Sequence, residues 1–270
     1  MARYTTEQIS GRQQLLKDPQ KQEHEGLPDI LTKFTIAHEK NPEKMTELDL
    51  RLICQSNIAA GSDTTAITLS SIFYHLLKNM ATLIRLRAEI DDAAAQGKLS
   101  SPVTFGETQN LVYLKAVINE SLRMHSAVGL PLQRLVPVEG AELVGRKFPP
   151  GSTVGINPWV AHRNISVFGS DAGVWRPERW LEIGDKSSGA DFDKYFFAFG
   201  KGSRTCIGKN ISLIEISKLV PELVRRFDFK LANSLQTREW RSLNRWFVKQ
   251  LDFEVVVSLR AFGVDGSITS

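Results

Sequence analysis

One stretch decides how this sequence is interpreted: Phe199-Gly200-Lys201-Gly202-Ser203-Arg204-Thr205-Cys206-Ile207-Gly208. Its glycines allow the backbone to turn tightly and to approach a flat partner closely. Cys206 lies at the end of the turn, just before an apolar run at 207–220 that is compatible with a helix. Three basic residues lie close to this sulfur in sequence: Lys201, Arg204 and Lys209. A cysteine near a helix start and near positive charge is biased towards its thiolate form.

A thiolate on a glycine-rich loop suits one kind of cofactor. It is a good axial ligand for a haem iron, and the electron density that it supplies favours O–O cleavage. The pattern Phe-Gly-x-Gly-x-Arg-x-Cys-x-Gly resembles the haem-binding signature of the cytochrome P450 family. The resemblance implies that Cys206 is the metal ligand and that the cofactor is haem (heme, iron protoporphyrin). The remaining alternative for Cys206 is a buried thiol beside a loop, the usual fate of a lone cysteine.

The resemblance also implies which residues surround the haem. Arg204, and Arg134 earlier in the chain, would each meet a haem propionate, because a guanidinium suits a carboxylate bidentately. Each of the two could instead be a plain structural arginine. The full cofactor-binding set implied by the resemblance is Arg134, Phe199, Gly202, Arg204, Cys206 and Gly208.

A long helix is predicted at about 46–80, opened by a weak capping box. Its middle, Ala59-Ala60-Gly61-Ser62-Asp63-Thr64-Thr65, groups weak helix formers whose hydroxyls compete for backbone carbonyls and can open the helix locally. Taken alone, this segment is a tolerated polar kink. It also resembles the P450 segment that lies over the distal face of the haem. That resemblance implies that Thr64 hydrogen-bonds the activated oxygen, that Asp63 helps to relay protons, and that Ala60 lines the substrate pocket.

An i,i+3 pair, Glu120 and Arg123, places a carboxylate and a guanidinium on one helix face. Most such pairs are solvated and contribute only ~0–1 kcal/mol to stability. This pair matches the family's Glu-x-x-Arg motif, and a later Pro-Glu-Arg segment ends at Arg179. The resemblance implies a structural triad of Glu120, Arg123 and Arg179, in which a buried carboxylate between two arginines locks the loop beneath the haem.

The segment after this helix is a candidate pocket wall. Family members usually have proline where this chain has Ser126. By resemblance, the residues that follow line the substrate pocket, and a hairpin tip near the C-terminus forms a second wall. The pocket residues implied in these two strips are Val128, Gly129, Leu130 and Phe247. His162 has no neighbour at ligand spacing, and we interpret it as a structural hydrogen-bonding residue rather than an iron ligand.

The resemblance implies a mainly α fold with small β-sheets, the C-terminal portion of the cytochrome P450 fold, and the periodicity along the chain predicts its individual helices and strands. Shorter helices are expected from Asp29 (apolar face Ile30, Leu31, Phe34 and Ala37), at 83–96, at 107–125 and at 211–227. Strands are expected at 135–136, 143–144 and 153–156, with a terminal hairpin of 240–247 and 253–257. We divide the chain into leading helices with a polar linker (1–45), a haem-binding core (46–260) and a frayed tail (261–270).

Composition excludes several other classes of protein. The net charge of +4 is mild, and no block of Lys and Arg marks a nucleic-acid partner. Cys54 and Cys206 lie far apart, so they suggest neither a disulfide framework nor a CxxC metal site, and a reducing compartment is the simplest interpretation. No apolar run approaches the ~18–20 residues needed to span a bilayer, and the N-terminus is no signal peptide. The sequence as given therefore predicts a soluble chain.

The activity implied by the resemblance is that of an oxidoreductase, a haem-thiolate monooxygenase. It would insert one oxygen atom from O₂ into a small apolar organic substrate, with electrons from NADPH. These electrons would arrive through NADPH–cytochrome P450 reductase. The reductase would dock on the cysteine side, where Lys201 and Lys209 offer positive charge. Both lysines are equally well explained as solvated surface residues. The segments 157–164 and 129–131 most resemble filamentous-fungal members such as the pisatin demethylase type, which indicates secondary metabolism.

One misfit keeps a second hypothesis open. Family members are much longer than this chain, and the match begins inside their fold. We expect the N-terminal membrane anchor and most of the first sheet to be absent, so that only a full-length relative would sit on the endoplasmic reticulum membrane. The alternative is a truncated, non-catalytic P450 remnant. For these 270 residues alone we expect weak haem binding or none, and no turnover of substrate. A haem-thiolate isomerase or dehydratase is a third hypothesis, against which Asp63 and Thr64 argue. The sequence names neither the substrate nor the subfamily.

Overall fold

The computed structural model describes residues 2–17, 29–182, 189–232, 236 and 238–260. The chain divides into two compact units, Met1–Asp63 and Thr64–Ser270, and the division falls inside its longest helix. The predicted tail at 261–270 and most of the predicted polar linker lie outside the described residues. No helix in the described part of the chain is both long and apolar enough to cross a bilayer.

Helices and short paired strands alternate along the chain. The helices are α1 (Ala2–Leu16), α2 (Ile30–Lys40), α3 (Glu47–Lys78), α4 (Met80–Ala95), α5 (Phe105–Thr108), α6 (Val112–Met124), α7 (Pro158–Ala161), α8 (Ile165–Phe168), α9 (Gly189–Tyr195) and α10 (Lys209–Arg226), with 3₁₀ turns at Pro177–Trp180 and Gly202–Arg204. The strands are β1 (Leu132–Leu135), β2 (Ala141–Leu143), β3 (Arg146–Phe148), β4 (Thr153–Ile156), β5 (Phe227–Leu231), β6 (Arg241–Arg245), β7 (Phe247–Leu251) and β8 (Val255–Leu259). They pair antiparallel in two-stranded sheets: β1 with β4, β2 with β3, β5 with β8, and β6 with β7.

In the first unit, α2 begins where the sequence predicts, but its most buried side chains are two threonines rather than the apolar residues. Asp29 caps the helix, because its Oδ1 accepts the Thr32 N–H at 2.7 Å, and this hydrogen bond lowers the pKa of the carboxyl. Its Oδ2 pairs with the Arg12 guanidinium of α1 at 2.7 Å. Of the residues predicted on the apolar face, Leu31, Phe34 and Ala37 are half-buried and Ile30 is 52% exposed, whereas the neighbouring Thr32 and Thr35 are buried. Thr35 tolerates burial because its hydroxyl donates to a carbonyl one turn earlier at 2.9 Å.

The core of the second unit is formed by α4, α6, α10 and the C-terminal part of α3. The apolar stripe predicted on α4 is confirmed: Leu83, Leu86 and Ile90 are all buried. They belong to one apolar cluster with Ile72, Leu76, Leu114, Val117, Ile216, Val220 and others. Burial of each side chain of this size contributes about 1.5–3 kcal/mol relative to exposure. This cluster is therefore the rigid support behind the loops described below.

The single helix predicted at 107–125 is two helices, α5 and α6. Glu107 completes a capping box at the start of α5, and α5 ends after one turn. Helix α6 then starts anew, and its first N–H groups, those of Tyr113 and Leu114, donate to the Glu89 carboxylate at 2.7 and 2.9 Å. The break is invisible in the sequence because the carboxylate that caps α6 comes from α4.

The predicted terminal hairpin pairs the wrong strands. Instead of 240–247 with 253–257, β6 pairs with β7 around Trp246, whose φ is 74°. The chain turns away from this hairpin at Asp252, whose φ is 59°, and then forms β8. Strand β8 pairs with β5, the strand that directly follows α10. Residues other than glycine rarely adopt such positive φ values, so no local pattern indicates these two turns. Strand β3 (Arg146–Phe148) was not predicted from the sequence.

Buried histidines determine how the stability of the chain should depend on pH. His125 and His162 are 2% and 0% exposed, and burial lowers the pKa of each ring to about 4 from 6.5. Below pH 6.5 the unfolded chain binds protons that the folded chain excludes. We therefore expect the free energy of unfolding to fall between pH 6.5 and pH 4, by up to ~1.4 kcal/mol per pH unit for each ring. Urea unfolding followed by circular dichroism at a series of pH values measures this slope.

A double variant, His125→Gln with His162→Gln, is the control for this dependence. It should be less stable at neutral pH, with a shallower slope on acidification. Equal free energies of unfolding at pH 7 and pH 5 in the unaltered chain would contradict the prediction.

Candidate functional site

The cysteine loop, residues 199–208, presents its sulfur at the surface. Gly200 and Gly202 both have a φ of +68°, a backbone conformation that favours glycine. The 3₁₀ turn follows, and the Cys206 N–H donates to the Phe199 carbonyl at 2.8 Å, which closes the loop. Helix α10 starts directly behind it. Cys206 is therefore an exposed cysteine outside any disulfide, and its backbone is held by a hydrogen bond.

The surroundings of the Cys206 sulfur fit a flat, apolar group with a metal at its centre. A Cβ atom added at Gly208 would lie 3.9 Å from the sulfur, so glycine leaves that flank of the ligand open. Three isoleucines that follow at helical spacing are exposed, at 92%, 50% and 38%: Ile207, Ile211 and Ile214. Apolar surface beside a soft sulfur donor favours an apolar, metal-bearing partner. The residues present thus fit the haem that the sequence predicts.

One of the two arginines assigned to the haem propionates is held against the cysteine loop. Arg134, on β1, donates from NH2 to the Lys201 carbonyl at 3.0 Å. Leu132 of the same strand lies 4.0 Å from the position that a Cβ atom would take at Gly200. Strand β1 therefore borders the loop and brings a guanidinium to it. Arg204, inside the loop, is exposed.

Helix α3 runs unbroken through the polar segment that the sequence predicts can open it. Ala60 and Asp63 lie on its part in the first unit, and Thr64 begins the second unit. The Thr68 hydroxyl donates to the Thr64 carbonyl at 3.0 Å. This local bond leaves the helical ladder intact, so the hydroxyls of the segment do not interrupt the helix.

Within the second unit, the start of its α3 segment touches the helix that follows the cysteine loop. The Thr65 Oγ1 lies 3.2 Å from the Ser212 Oγ on α10, six residues after Cys206. Thr65 is buried, whereas the adjacent Thr64 is only half-buried. The backbone at Thr64 is therefore anchored through its neighbour to α10.

Glu120 lies at the centre of a buried ion cluster that contains all three residues of the predicted triad. Its oxygens accept from Arg123 Nε and NH2 at 2.8 and 2.7 Å, and from Arg179 Nε at 2.9 Å. The three side chains are at most 2% exposed. The Trp180 indole N–H at 2.9 Å and the Arg176 backbone N–H at 2.8 Å complete the set of donors. A buried carboxylate is tolerable only when its lone pairs are satisfied in this way.

The two arginines of the cluster also hold the irregular segment that leads to it. Arg123 donates to the carbonyls of His162, Ala172 and Val174, and Arg179 to those of Phe168, Asp171 and Val174. The Asp171 carboxylate accepts from Arg176 and Arg179, and these hydrogen bonds lower its pKa to about 2. Sequence reasoning missed Asp171, Arg176 and Trp180. Only Trp180 carried a usable signal, because it directly follows Arg179 in the Pro-Glu-Arg-Trp segment.

The two strips predicted to line the substrate pocket meet in the structure. Val128 forms an isolated antiparallel bridge with Phe247 at the start of β7. The Gly129 N–H donates to the carbonyl of Trp246 at 3.0 Å. Leu130, the last residue of the first strip, is 41% exposed. The strips therefore form one continuous wall.

Gly129 is the point at which this wall is tightest. Its carbonyl accepts from the side-chain amides of Asn157 and Asn244, each at 3.1 Å. A Cβ atom at this position would lie 2.4 Å from the Val248 side chain and 2.6 Å from that of Asn244. A larger residue would thus displace β7, so glycine is required for the two strips to meet.

Comparison with known proteins supplies the class of this chain. The family model described as cytochrome P450 matches residues 1–250. The cytochrome P450 monooxygenase cicH of Emericella nidulans is 45% identical over 238 residues, which cover 88% of this chain and 47% of the relative. A pisatin demethylase of Fusarium vanettenii is 46% identical over 206 residues, or 76% and 38% of the two chains. The cytochrome P450 monooxygenase ACRTS1 of Alternaria alternata is 39% identical over 222 residues, or 82% and 58%.

The chain belongs to the cytochrome P450 family, because the family model covers most of its length. It spans about half the length of the curated relatives that it matches. The predicted fold class, mainly α with small sheets and corresponding to the C-terminal portion of the family's fold, is confirmed. The relatives named above are fungal proteins, as the resemblance of the sequence to the pisatin demethylase type indicates.

The Glu120 cluster predicts a large loss of stability from a small change. Glu120→Gln keeps the shape of the side chain but leaves the buried Arg123 guanidinium without its counter-charge, and leaves Arg179 paired only with Asp171 at 3.0 Å. We expect the free energy of unfolding to fall by about 3–5 kcal/mol, the usual effect of removing one partner of a buried ion pair. Chemical denaturation monitored by circular dichroism measures the difference.

The matched control is Asp252→Asn, which removes the carboxylate from an exposed pair with Arg241 at 2.7 Å. It should change stability by only ~0–1 kcal/mol, because water screens an exposed pair. If the two variants lost equal stability, the burial of Glu120 would not be the cause.

Proposed function

We propose that this chain provides the haem-thiolate centre of a cytochrome P450 monooxygenase. The observation that carries the proposal is the cysteine loop: an exposed Cys206 thiol, held by the hydrogen bond from its own N–H to Phe199, in a chain of this family. Two of the relatives reported above, cicH and ACRTS1, are named as monooxygenases, which supports the same reaction class. Because the chain spans about half of their length, the activity is proposed for the protein to which these residues contribute.

Four residues of the loop and one residue of β1 then have defined tasks. Cys206 supplies the thiolate ligand, while Gly202 and Gly208 allow the macrocycle to approach the backbone. Arg134, fixed on β1, and Arg204 neutralise the propionates as bidentate donors. When bound, haem with this ligand supplies the chemistry that transfers one oxygen atom of O₂ to an organic substrate and releases the other as water, with electrons from NADPH.

Proton delivery is assigned to the polar segment of α3. The Thr64 hydroxyl can both accept and donate a hydrogen bond, and the Asp63 carboxylate can exchange protons with solvent. An alcohol beside a carboxylate can therefore pass protons to the reacting oxygen in step with bond cleavage. The contact between Thr65 and Ser212 supports the role of Thr64, because it fixes the adjacent backbone.

The substrate is proposed to be a small apolar organic molecule. Val128, Gly129, Leu130 and Phe247 form a wall without a charged side chain, which suits an apolar ligand better than an anion or a sugar. From the family pattern alone, Ala60 is proposed as a further residue that contacts the substrate. The names of the relatives agree with secondary metabolism as the setting, since one of them is a demethylase of pisatin.

The electron donor is proposed to be NADPH–cytochrome P450 reductase, docked at the face that carries the cysteine loop. Lys209, whose ammonium lies 5.8 Å from the centre of the Phe199 ring, offers positive charge there. Lys201 pairs with Asp193 at 3.1 Å, so it adds little net charge. For a full-length protein we propose the cytosolic face of the endoplasmic reticulum membrane. No feature of the chain favours a nucleic-acid partner.

The thiolate assignment is tested by spectroscopy of the haem-loaded chain. After reduction and addition of CO, the Soret band should take the red-shifted position typical of thiolate ligation. Cys206→Ala should abolish this band, and Cys54→Ala, the matched change at the other cysteine, should leave it in place. An unshifted band in the unaltered chain, or one that persists without Cys206, would refute the assignment. A chain that takes up no haem at all would instead support the non-catalytic remnant.

The proton-delivery role is tested by the balance between product and peroxide. In the active holoenzyme, Thr64→Ala should still consume NADPH and O₂ but release hydrogen peroxide in place of oxidised substrate, because protons no longer arrive in a controlled way. We expect product per NADPH to fall by roughly tenfold or more. Thr68→Ala, one turn further along α3, is the control and should leave the ratio nearly unchanged. Equal ratios in all three proteins would exclude the role.

A further inference from the structure

We propose that His162 positions the cysteine loop by linking it to the end of α6 through a neutral imidazole ring. This inference rests on the proposed function for its consequence, the placement of the Cys206 sulfur. Its structural part depends only on the hydrogen bonds of the second unit. His162 is fully buried, and it lies outside the cysteine loop and outside the predicted triad.

The hydrogen bonds of the ring define its protonation state. Nε2 lies 2.7 Å from the backbone nitrogen of Phe197, which can only donate, so Nε2 must accept. The proton therefore sits on Nδ1, which lies 2.9 Å from the Arg123 carbonyl and 3.0 Å from the Ser126 hydroxyl. Both ring nitrogens are thus used, and each joins His162 to a different part of the chain.

The bond to Phe197 continues into the cysteine loop. The Gly200 N–H donates to the Phe197 carbonyl at 3.0 Å, and the Cys206 N–H donates to the Phe199 carbonyl at 2.8 Å. The Phe196 ring stacks on the imidazole, with ring centres 5.2 Å apart and planes 18° from parallel. His162 therefore holds the entry to the loop both by a hydrogen bond and by an aromatic contact.

On its other side, His162 is tied to the Glu120 cluster. The Arg123 guanidinium donates to the His162 carbonyl at 2.6 Å, while the His162 ring bonds the Arg123 carbonyl. These reciprocal contacts join α6, the helix that carries Glu120, to His162, the residue whose ring bonds the Phe197 N–H. The buried charge cluster is thus connected to the segment that leads to the sulfur.

Ser126 takes part in the same link. Its hydroxyl donates to the Leu122 carbonyl at 3.1 Å, which leaves its lone pairs to accept from Nδ1 of His162. A proline at this position would have no hydroxyl to offer. The serine that replaces the proline usual in the family therefore adds a hydrogen bond to the positioning histidine.

The test compares two substitutions of His162 by local hydrogen exchange in the full 270-residue chain. His162→Leu removes both ring nitrogens, and His162→Gln restores an acceptor near the position of Nε2. In the leucine variant we expect the amides of Phe197, Gly200 and Cys206 to exchange at least about tenfold faster, while the amides of α4 keep their rates. The glutamine variant should recover much of the protection. His125→Leu, which removes another buried ring bonded to a carbonyl (Val248, 2.9 Å), is the control.

The outcomes separate this inference from the proposed function. If His162→Leu and His125→Leu change the loop amides equally, or if neither changes them, His162 does not position the loop. In haem-loaded protein, His162→Leu should also lower the fraction with the thiolate-type CO band, and His162→Gln should restore part of it. One combination of results separates the two proposals. If His162→Leu speeds exchange at the loop amides, but the unaltered haem-loaded chain shows no thiolate-type CO band, the positioning role of His162 stands and the proposed function is refuted.

Discussion

The burial of one carboxylate, that of Glu120, is the constraint on which the rest of the second unit depends. A charge without water must be surrounded by donors, and Glu120 receives five N–H groups from Arg123, Arg179, Trp180 and the backbone of Arg176. Only Arg123 lies on its own helix. The other donors lie in the irregular segment after α8, so satisfying the charge forces that segment into a single path. Hydrogen bonds from the two arginines to its carbonyls then hold a segment that has little regular secondary structure.

The site uses this rigidity indirectly. The cysteine loop is shaped by its own glycines, but its place is set by neighbours: Arg134 bonds the Lys201 carbonyl, and the Phe197 backbone is held by His162. A reactive sulfur has to be accessible, so it cannot be stabilised by burial. The chain combines an exposed Cys206 with one half-buried support, Arg134, and one fully buried support, His162, so the sulfur is accessible while the backbone of its loop is held.

The wall formed by the two apolar strips is also held by residues that are distant in sequence. Two strips that are far apart in sequence meet because Gly129 has no side chain, and two asparagine amides bind the carbonyl at the contact. The hydrogen bonds at Gly129 all involve its backbone, so they do not depend on the neighbouring apolar side chains. Substitutions at Val128 or Leu130 should therefore affect this contact little, whereas a larger residue at Gly129 would disrupt it.

The sequence by itself determined the elements whose signal is local. The cysteine signature, the apolar stripe of α4, the capping Asp29 and the start of α3 follow from spacing and side-chain chemistry within a few turns. Tertiary structure alone decided the features that depend on partners far away in sequence. The break between α5 and α6 needs Glu89 of α4, the exchange of hairpin partners needs β5, and the donors around Glu120 come from a segment without periodicity. A partner that is distant in sequence leaves no pattern in the residues around it. The interaction that selects it stabilises the chain only once the two segments have come together in the folded state.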